Sequence, residues 1–519
     1  MNTFLRKICR LLVLSILMVA ASCNLSGKKT NKEVGEAKNK IIDRRPNILL
    51  IYVDDLGYGD VSAYGGTELA TPNIDRIAKN GIRFTNGYAT SATCTPSRYA
   101  ILSGEYPWRN QKAHILPGNA PLLFDTSRET FPSMLKKANY TTAVIGKWHL
   151  GLGGETLDWN SEIKPGPNEI GFDYSYILAS TNDRVPSVYV ENDKVVGLSP
   201  DDSLEVSYNE NFPGEPTGKE NPELLKLHPS HGHDMSIHNG ISRIGYMKGG
   251  KSALFIDENM SDTIMVKTKE FISSNKNNPF FLFYSLHQPH VPRTPHPRFV
   301  GSSGMGPRGD AILEADWTIG QILDQLENLG IAENTIVVFS SDNGPVLDDG
   351  YQDNAVEKIG NHKPGGPLRG GKYSMFDAGT RVPFLVSWPG TIKASTSDAL
   401  VCQLDLMGSF ASLLGLENSA LDSEDTLDVF LGKSHKGRTQ LVLEAMGKTF
   451  YRQGDWIMIP PYEGPKIINK WVRNETGNLE EYQLFNIKED IAQQNNLADK
   501  YPEKVKELTK AMNEVKNKG

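Results

Sequence analysis

Cysteine is scarce in this chain: Cys9, Cys23, Cys94 and Cys402 are the four in 519 residues. So few cannot build the disulfide scaffold that small secreted domains rely on. Excess positive charge is missing too. The net charge is −7, which gives no whole-molecule attraction to nucleic acid or another polyanion. An anionic ligand must therefore be held by a local basic cluster. Long apolar runs are absent as well. The apolar run of the N-terminal leader, Leu11 to Ala21, is too short to span a bilayer. No internal repeat is visible, which sets solenoids and propellers aside.

What is present describes a soluble globular protein, 39% hydrophobic and 23% charged. Its length exceeds one ordinary core, so two domains, or a large one with a smaller companion, are expected. Arg6, Lys7 and Arg10 flank the start of the leader's apolar run, which has the size of a signal-peptide core. The run ends in Val19-Ala20-Ala21-Ser22-Cys23. Small residues directly before a cysteine resemble a bacterial lipobox, in which Cys23 becomes the lipidated N-terminus. Ordinary cleavage nearby, giving a free periplasmic protein, is the alternative. Either route exports the chain. Residues 1–22 are then a signal peptide, and 23–45, rich in Lys, Asn and Gly, a tether. The expected location is periplasmic or cell-surface, with membrane contact only through the lipid anchor.

Beyond the tether, buried-type strands alternate with helical segments. Pro46 to Val53, Ile82 to Tyr88, Tyr140 to Gly146, Pro279 to Leu286, Thr335 to Ser340 and Val382 to Trp388 read as strands. Residues 71–81, 130–138, 263–273 and 312–329 read as helices. Residues 151–250 are polar and rich in Gly, Pro and His, and read as loops that build a pocket. The expectation is an α/β fold. A large domain, 46–430, carries a mostly parallel central sheet flanked by helices. A smaller α+β subdomain, 431–519, carries short antiparallel strands near 440–460 and 482–486 and a terminal helix.

Four of the apolar strands end in chemistry-bearing residues: Asp54-Asp55, Lys147 with His149, His287 with His290, and Asp342-Asn343. Each pair alone reads as turn or cap residues. Strand ends of one parallel sheet share one edge, however, so these groups can converge. Asp54, Asp55, Asp342 and Asn343 offer only oxygen ligands, which suits a hard cation, Ca²⁺ or Mg²⁺, rather than zinc. Arg98, Lys147 and Lys372 supply fixed positive charge, and His149 and His290 supply proton transfer near neutral pH. A cation with Lys, Arg and His is what hydrolysis of an oxyanion ester requires. One more stretch stands out, Cys94-Thr95-Pro96-Ser97-Arg98-Tyr99-Ala100-Ile101-Leu102-Ser103-Gly104. Thr95 can cap a helix, Pro96 suits its first position and Gly104 can end it. Cys94 would then sit just before a helix N-terminus, where negative charge is favoured. Its bland reading is a small buried hydrophobe.

That stretch resembles the signature of the type I, formylglycine-dependent sulfatases, C-x-P-S-R-x-x-x-L-S/T-G, a family of the alkaline phosphatase superfamily. The resemblance continues through Asp54-Asp55, Gly146-Lys147-Trp148-His149, His290-Val291-Pro292, Asp342-Asn343-Gly344 and Gly371-Lys372, and reaches Leu484-Phe485-Asn486. It implies that a maturing enzyme oxidises Cys94 to Cα-formylglycine. The hydrated aldehyde is a geminal diol: one hydroxyl attacks sulfur, the alcohol leaves, and the other hydroxyl helps expel sulfate. It further implies that Asp54, Asp55, Asp342, Asn343 and modified Cys94 bind one Ca²⁺. Arg98 would orient the diol, and Lys147 and Lys372 would contact sulfate oxygens. His149 would assist collapse of the sulfated form, and His290 would protonate the leaving oxygen. His287 and Thr181 are weaker candidates for substrate contact. Arg184, His231, His233 and Arg293 lie in loop-rich parts that could read a sugar. Sulfated glycans are the abundant exported sulfate esters, so a carbohydrate sulfatase is expected. Two alternatives stay open. One is a phosphate mono- or diester hydrolase of the same superfamily, which usually carries Ser or Thr and two zinc ions. The other is a non-catalytic glycan-binding lipoprotein.

Overall fold

The structure, a computed structural model, describes residues 45–518. The signal peptide, Cys23 and the tether as far as residue 44 lie outside the described residues. None of the described helices is long and apolar enough to cross a membrane.

Ten strands form the main sheet. They are β1 (Asn47–Val53), β2 (Gly81–Tyr88), β3 (Thr141–Lys147), β4 (Tyr174–Leu178), β5 (Tyr189–Glu191), β6 (Lys194–Val195), β7 (Phe280–Ser285), β8 (Thr335–Ser341), β9 (Phe384–Ser387) and β10 (Ser395–Cys402). Their order is β10-β2-β9-β8-β1-β7-β3-β4-β5-β6. β8, β1, β7, β3 and β4 are mutually parallel neighbours. The segment near 382–388 is a strand as expected, but β9 runs antiparallel to both its neighbours. β10 was not legible in the sequence: Ser395 to Asp398 are four polar residues in a row and give no apolar run. The 151–250 stretch is not loop throughout, since β4 extends the sheet beside β3.

All seven residues of β1 are buried, which a strand covered on both faces demands. Ile48, Leu50 and Tyr52 join one core with Phe131 and Met134 of α3 (Phe131–Lys137). Leu49, Ile51 and Val53 join the other, with Ile74 of α1 (Pro72–Lys79), Ile264 of α4 (Met260–Asn275) and Ile312 of α5 (Gly306–Asn328). Each such side chain removed from water contributes about 1.5–3 kcal/mol. α2 (Cys94–Ser103) starts two residues earlier than the sequence suggested. Thr93, in extended backbone, is its N-cap, and Cys94 is its first residue. Thr95 instead turns its hydroxyl to the His149 carbonyl, at 3.0 Å. Gly104 ends the helix in left-handed backbone, φ 66°, where glycine carries no Cβ penalty.

The C-terminal strands form a four-stranded antiparallel sheet, β11 (Gln440–Ala445), β12 (Lys448–Gln453), β13 (Trp456–Ile459) and β14 (Gln483–Asn486). Leu441, Leu443 and Phe450 pack on Tyr88, Ala92 and Ala100 of the large domain. The opposite face, through Val442, Met458 and Leu484, receives Leu508 and Met512 of the terminal helix α6 (Pro502–Lys516). One face of this sheet thus braces the segment that carries Cys94.

Candidate active site

β8, β1, β7 and β3 end in register: Val53 pairs with Ser341, Tyr52 with Ser285, and Ser285 with Gly146. The residues that follow them therefore reach one edge together. Asp55 and His149 adopt left-handed backbone, φ 60° and 55°. That local turn ends the pleat and lets side chains of neighbouring residues converge.

Charges interlock there. Lys147 Nζ donates to Asp54 Oδ2 at 2.5 Å. Lys372 Nζ donates to Asp55 Oδ2 at 2.9 Å and to Asp349 Oδ2 at 2.8 Å. Arg98 grips Asp342 Oδ2 through Nε at 3.0 Å and Nη2 at 2.8 Å, donates to Ser285 Oγ at 2.5 Å, and lies over the Tyr52 ring. Asn343 Nδ2 donates to Asp55 Oδ1 at 2.7 Å. Two oxygens are left over: Asp54 Oδ1 and Asn343 Oδ1 are buried without a hydrogen-bond partner among the described residues. An orphaned buried acceptor costs about 1–3 kcal/mol, so both ask for a positive partner. Ligand atoms of Asp54, Asp55 and His290 lie within 4.8 Å of one another. Burial, with Asp342 alongside, pushes the Asp54 carboxyl well up, and burial raises Asp55. Burial works against Asp342 as well, but Arg98 and Lys147 outweigh it and hold that carboxyl low. An oxygen-rich, charge-dense pocket of this kind fits a hard cation.

Cys94 Sγ lies 3.3 Å from His149 Nδ1. His149 Nε2 lies 2.9 Å from the Leu116 carbonyl, which can only accept. The proton therefore sits on Nε2, and Nδ1 faces residue 94 as an acceptor. Burial, then Lys147 and Arg184, hold His149 neutral. Burial pushes the Cys94 thiol up despite Lys147 and Lys372, so Cys94 is not a thiolate. His290 commits Nδ1 to the Val291 carbonyl at 2.6 Å, leaving Nε2 3.9 Å from Asp55 Oδ2. Burial, then Lys372 and Lys147, depress it. His287 is buried beside this edge with Nδ1 unpartnered among the described residues, and burial pushes it down to about 4.

The loop candidates separate. Asp183, which the sequence reading passed over, gathers three of them. Thr181 Oγ1 donates to it, Arg184 Nη1 donates to Oδ1 at 2.9 Å, and His233 Nε2 donates to Oδ2 at 2.9 Å. Burial opposes its ionisation, but Arg184 and His233 win and hold the Asp183 carboxyl well below the usual range. His231 stacks on Trp471, centroids 4.7 Å apart. Arg293 does not join this group. It is buried, and its guanidinium serves Asp353 and the carbonyls of Pro289, Val346 and Leu347. A substrate loop was expected there, and a structural strut is found. Asp349 and Tyr373, whose hydroxyl donates to Asp349 at 3.1 Å, were also missed. Asp348-Asp349-Gly350 reads as a turn, and only the fold brings it to Lys372 and His233. At Gly350, φ is 127° and an added Cβ would meet the His233 ring at 2.1 Å, so only glycine fits.

Buried lysines, an imidazole aimed at residue 94 and an oxygen-lined pocket define a hydrolase of oxyanion esters. The sulfatase family model matches residues 46–416. An N-acetylgalactosamine-6-O-sulfatase of Bacteroides thetaiotaomicron is 48% identical over 520 residues, 99% of this chain and 100% of the relative. Human arylsulfatase A is 30% identical, covering 77% of this chain and 70% of its own length. A solved structure from work on glycosaminoglycan metabolism by Bacteroides thetaiotaomicron superposes with a TM-score of 0.89 at 49% identity, covering 91% of this chain and all of that one. The chain belongs to the sulfatase family, and it is a hydrolase acting on sulfuric esters.

Proposed function

We propose that the chain removes the 6-O-sulfate of N-acetylgalactosamine residues in glycosaminoglycan-type sugars, as an exported, lipid-anchored enzyme that uses Ca²⁺ and formylglycine at position 94. The geometry that carries the reaction is the Cys94–His149 contact beside Lys147 and Lys372. The sugar assignment rests on 48% identity with the Bacteroides relative over 99% of this chain and 100% of that one. A maturing enzyme acting on Cys94 and cleavage before Cys23 complete the reading.

As a hydrated aldehyde, residue 94 supplies a nucleophilic hydroxyl and a second one whose loss of a proton ejects sulfate, which a thiol cannot do. His149 Nδ1 is the acceptor for that proton. Lys147 and Lys372 hold sulfate oxygens and neutralise charge growing on them. A bound sulfate ester brings negative charge between the two ammoniums that depress His290. Its protonated form is thereby favoured, and Nε2 can give a proton to the departing sugar oxygen. Asp54, Asp55, Asp342 and Asn343 would hold Ca²⁺, which when bound adds positive charge beside the sulfate. The orphaned oxygens of Asp54 and Asn343 support that fit.

The test is sulfate release from 6-sulfated N-acetylgalactosamine, its 4-sulfated isomer, 6-sulfated N-acetylglucosamine and an aryl phosphate. The first should give the highest kcat/KM. Preference for another sugar sinks the substrate assignment, and dominance of the phosphate sinks the reaction. Peptide mass over residue 94 should be lighter by about 18 Da than cysteine. Chelation with EGTA should lower the melting temperature, by up to about 2.7 kcal/mol of stability if the ion stood at a hundred times its Kd.

A further inference from the structure

Glu444 lies on β11, in the small C-terminal sheet, and is only 4% exposed. Two neutral donors serve its carboxyl. Ser91 Oγ donates to Oε2 at 2.5 Å, and the Gly447 amide donates to Oε1 at 2.5 Å. Burial pushes the group above the ordinary glutamate range, and these hydrogen bonds only partly offset it. Burying a carboxyl among neutral donors is costly. A valine or leucine would fill a sheet position without that cost, so the network it serves matters.

Ser91 is the hub of that network. Its Oγ accepts from the Thr93 amide at 3.2 Å and lies 3.0 Å from Thr93 Oγ1. Ser97 Oγ donates to the Ser91 carbonyl at 3.0 Å and accepts the Ser91 amide at 3.2 Å. Thr93, the N-cap of α2, makes no side-chain capping bond. The Ser91–Ser97 exchange takes that place and fastens the entering chain to the first turn of the helix. Cys94 is the residue held between them. The Glu444 backbone adds to this: Ala92 N donates to Glu444 O at 2.9 Å, and Glu444 N donates to Thr90 O at 3.0 Å. Tyr373 N donates to Ala92 O at 2.9 Å, which joins the Lys372 segment to the same turn.

We propose that Glu444 is a positioning residue: through Ser91 it fixes the turn that aims residue 94 at His149. The C-terminal sheet then supports catalysis directly. The backbone bonds between 90–92 and 444 do not need the carboxyl. Removing it leaves the strand pairing in place and frees Ser91 Oγ on one side. Displacement of a reacting group by about 1 Å can cost ~10²-fold in rate.

The experiment uses the full chain, with formylglycine content measured by peptide mass. kcat and KM are taken on whichever sulfated monosaccharide the wild type turns over fastest, so the outcome does not depend on the 6-sulfate reading. Glu444→Ala should lower kcat ~10–100-fold, with KM within about twofold. Ser91→Ala should do the same, and the double variant should be no worse than the more damaging single one. Glu444→Gln keeps an acceptor for Ser91 and should recover most of the rate. Val442→Ala, on the same face of β11, is the control: it should lower the melting temperature and leave kcat unchanged. Amides of Thr93 to Arg98 should exchange faster in Glu444→Ala than in Val442→Ala. An unchanged kcat, a loss confined to KM, or a loss matched by Val442→Ala overturns the proposal. If Glu444→Ala does not fold, Ser91→Ala carries the same test.

Discussion

Along the edge formed by β8, β1, β7 and β3, Asp54, Asp55 and Asp342 directly follow buried strands and Lys147 ends one. Asp54, Lys147 and Asp342 are fully enclosed there, and Arg98 with them. The neighbouring wall is built differently. Thr181, Asp183 and Arg184 follow β4, His233 comes from a loop 50 residues after Asp183, and Asp349 comes from the loop after β8. The edge is fixed by a regular parallel ladder that must place strand ends together. The wall is held by a few polar contacts between segments that no ladder aligns. The edge carries the residues proposed for sulfate hydrolysis, and the wall those proposed to surround the sugar.

That contrast can be broken by substitution. Cys94→Ala should reduce sulfate release by ~10⁴-fold or more while leaving the melting temperature near wild type, because it removes the proposed nucleophile. Comparable turnover in that variant would falsify a nucleophile at position 94. Lys372→Ala should lower kcat by ~10²–10³-fold, since it removes a charge proposed to hold the sulfate and leaves Asp55 and Asp349 without the ammonium between them. Arg184→Ala belongs to the wall. It should cost ~10–10²-fold in kcat/KM, chiefly through KM, and narrow the difference between sugars. A pure kcat effect would move Arg184 from the wall to the edge.

The smallest effect concerns pH. His287 at the edge is pushed down to about 4 by burial, and His238 beside the wall to about 3, by burial and then Arg243. In the unfolded chain both titrate near 6.5. Between pH about 6.5 and about 4 the unfolded state binds protons that the folded state refuses, so stability falls as pH falls, by up to ~1.4 kcal/mol per unit per imidazole. Melting curves at pH 6.5 and 4.5 should show the drop, and His238→Gln should shrink it. An equal drop in that variant would remove His238 from the account.

Much of the edge was legible in the sequence. Continuous apolar runs mark strands covered on both faces, and polar residues at their ends can only collect where the pleat stops. Asp54, Asp55, Lys147, His149, His290, Asp342 and Asn343 stand where that argument put them. The start of α2 was misjudged by two residues because Thr95, followed by Pro96, reads as a better cap than Thr93. Its hydroxyl is drawn away by the His149 carbonyl, a contact 54 residues distant. β10 was missed because its first half faces solvent and carries no apolar pattern. Arg293 looked like a free loop cation, and only the fold supplies the Asp353 and three carbonyls that occupy it.

The sequence by itself determined the central apolar strands, the signature around Cys94 and the class of reaction, because periodicity and local residue chemistry are properties of short stretches. Tertiary structure alone decided that Asp183 collects Arg184 and His233, that Asp349 braces Lys372, and that Glu444 reaches Ser91. Those contacts join segments far apart in the chain. Their energy depends on burial and on donor–acceptor geometry that appears only once the sheet has closed.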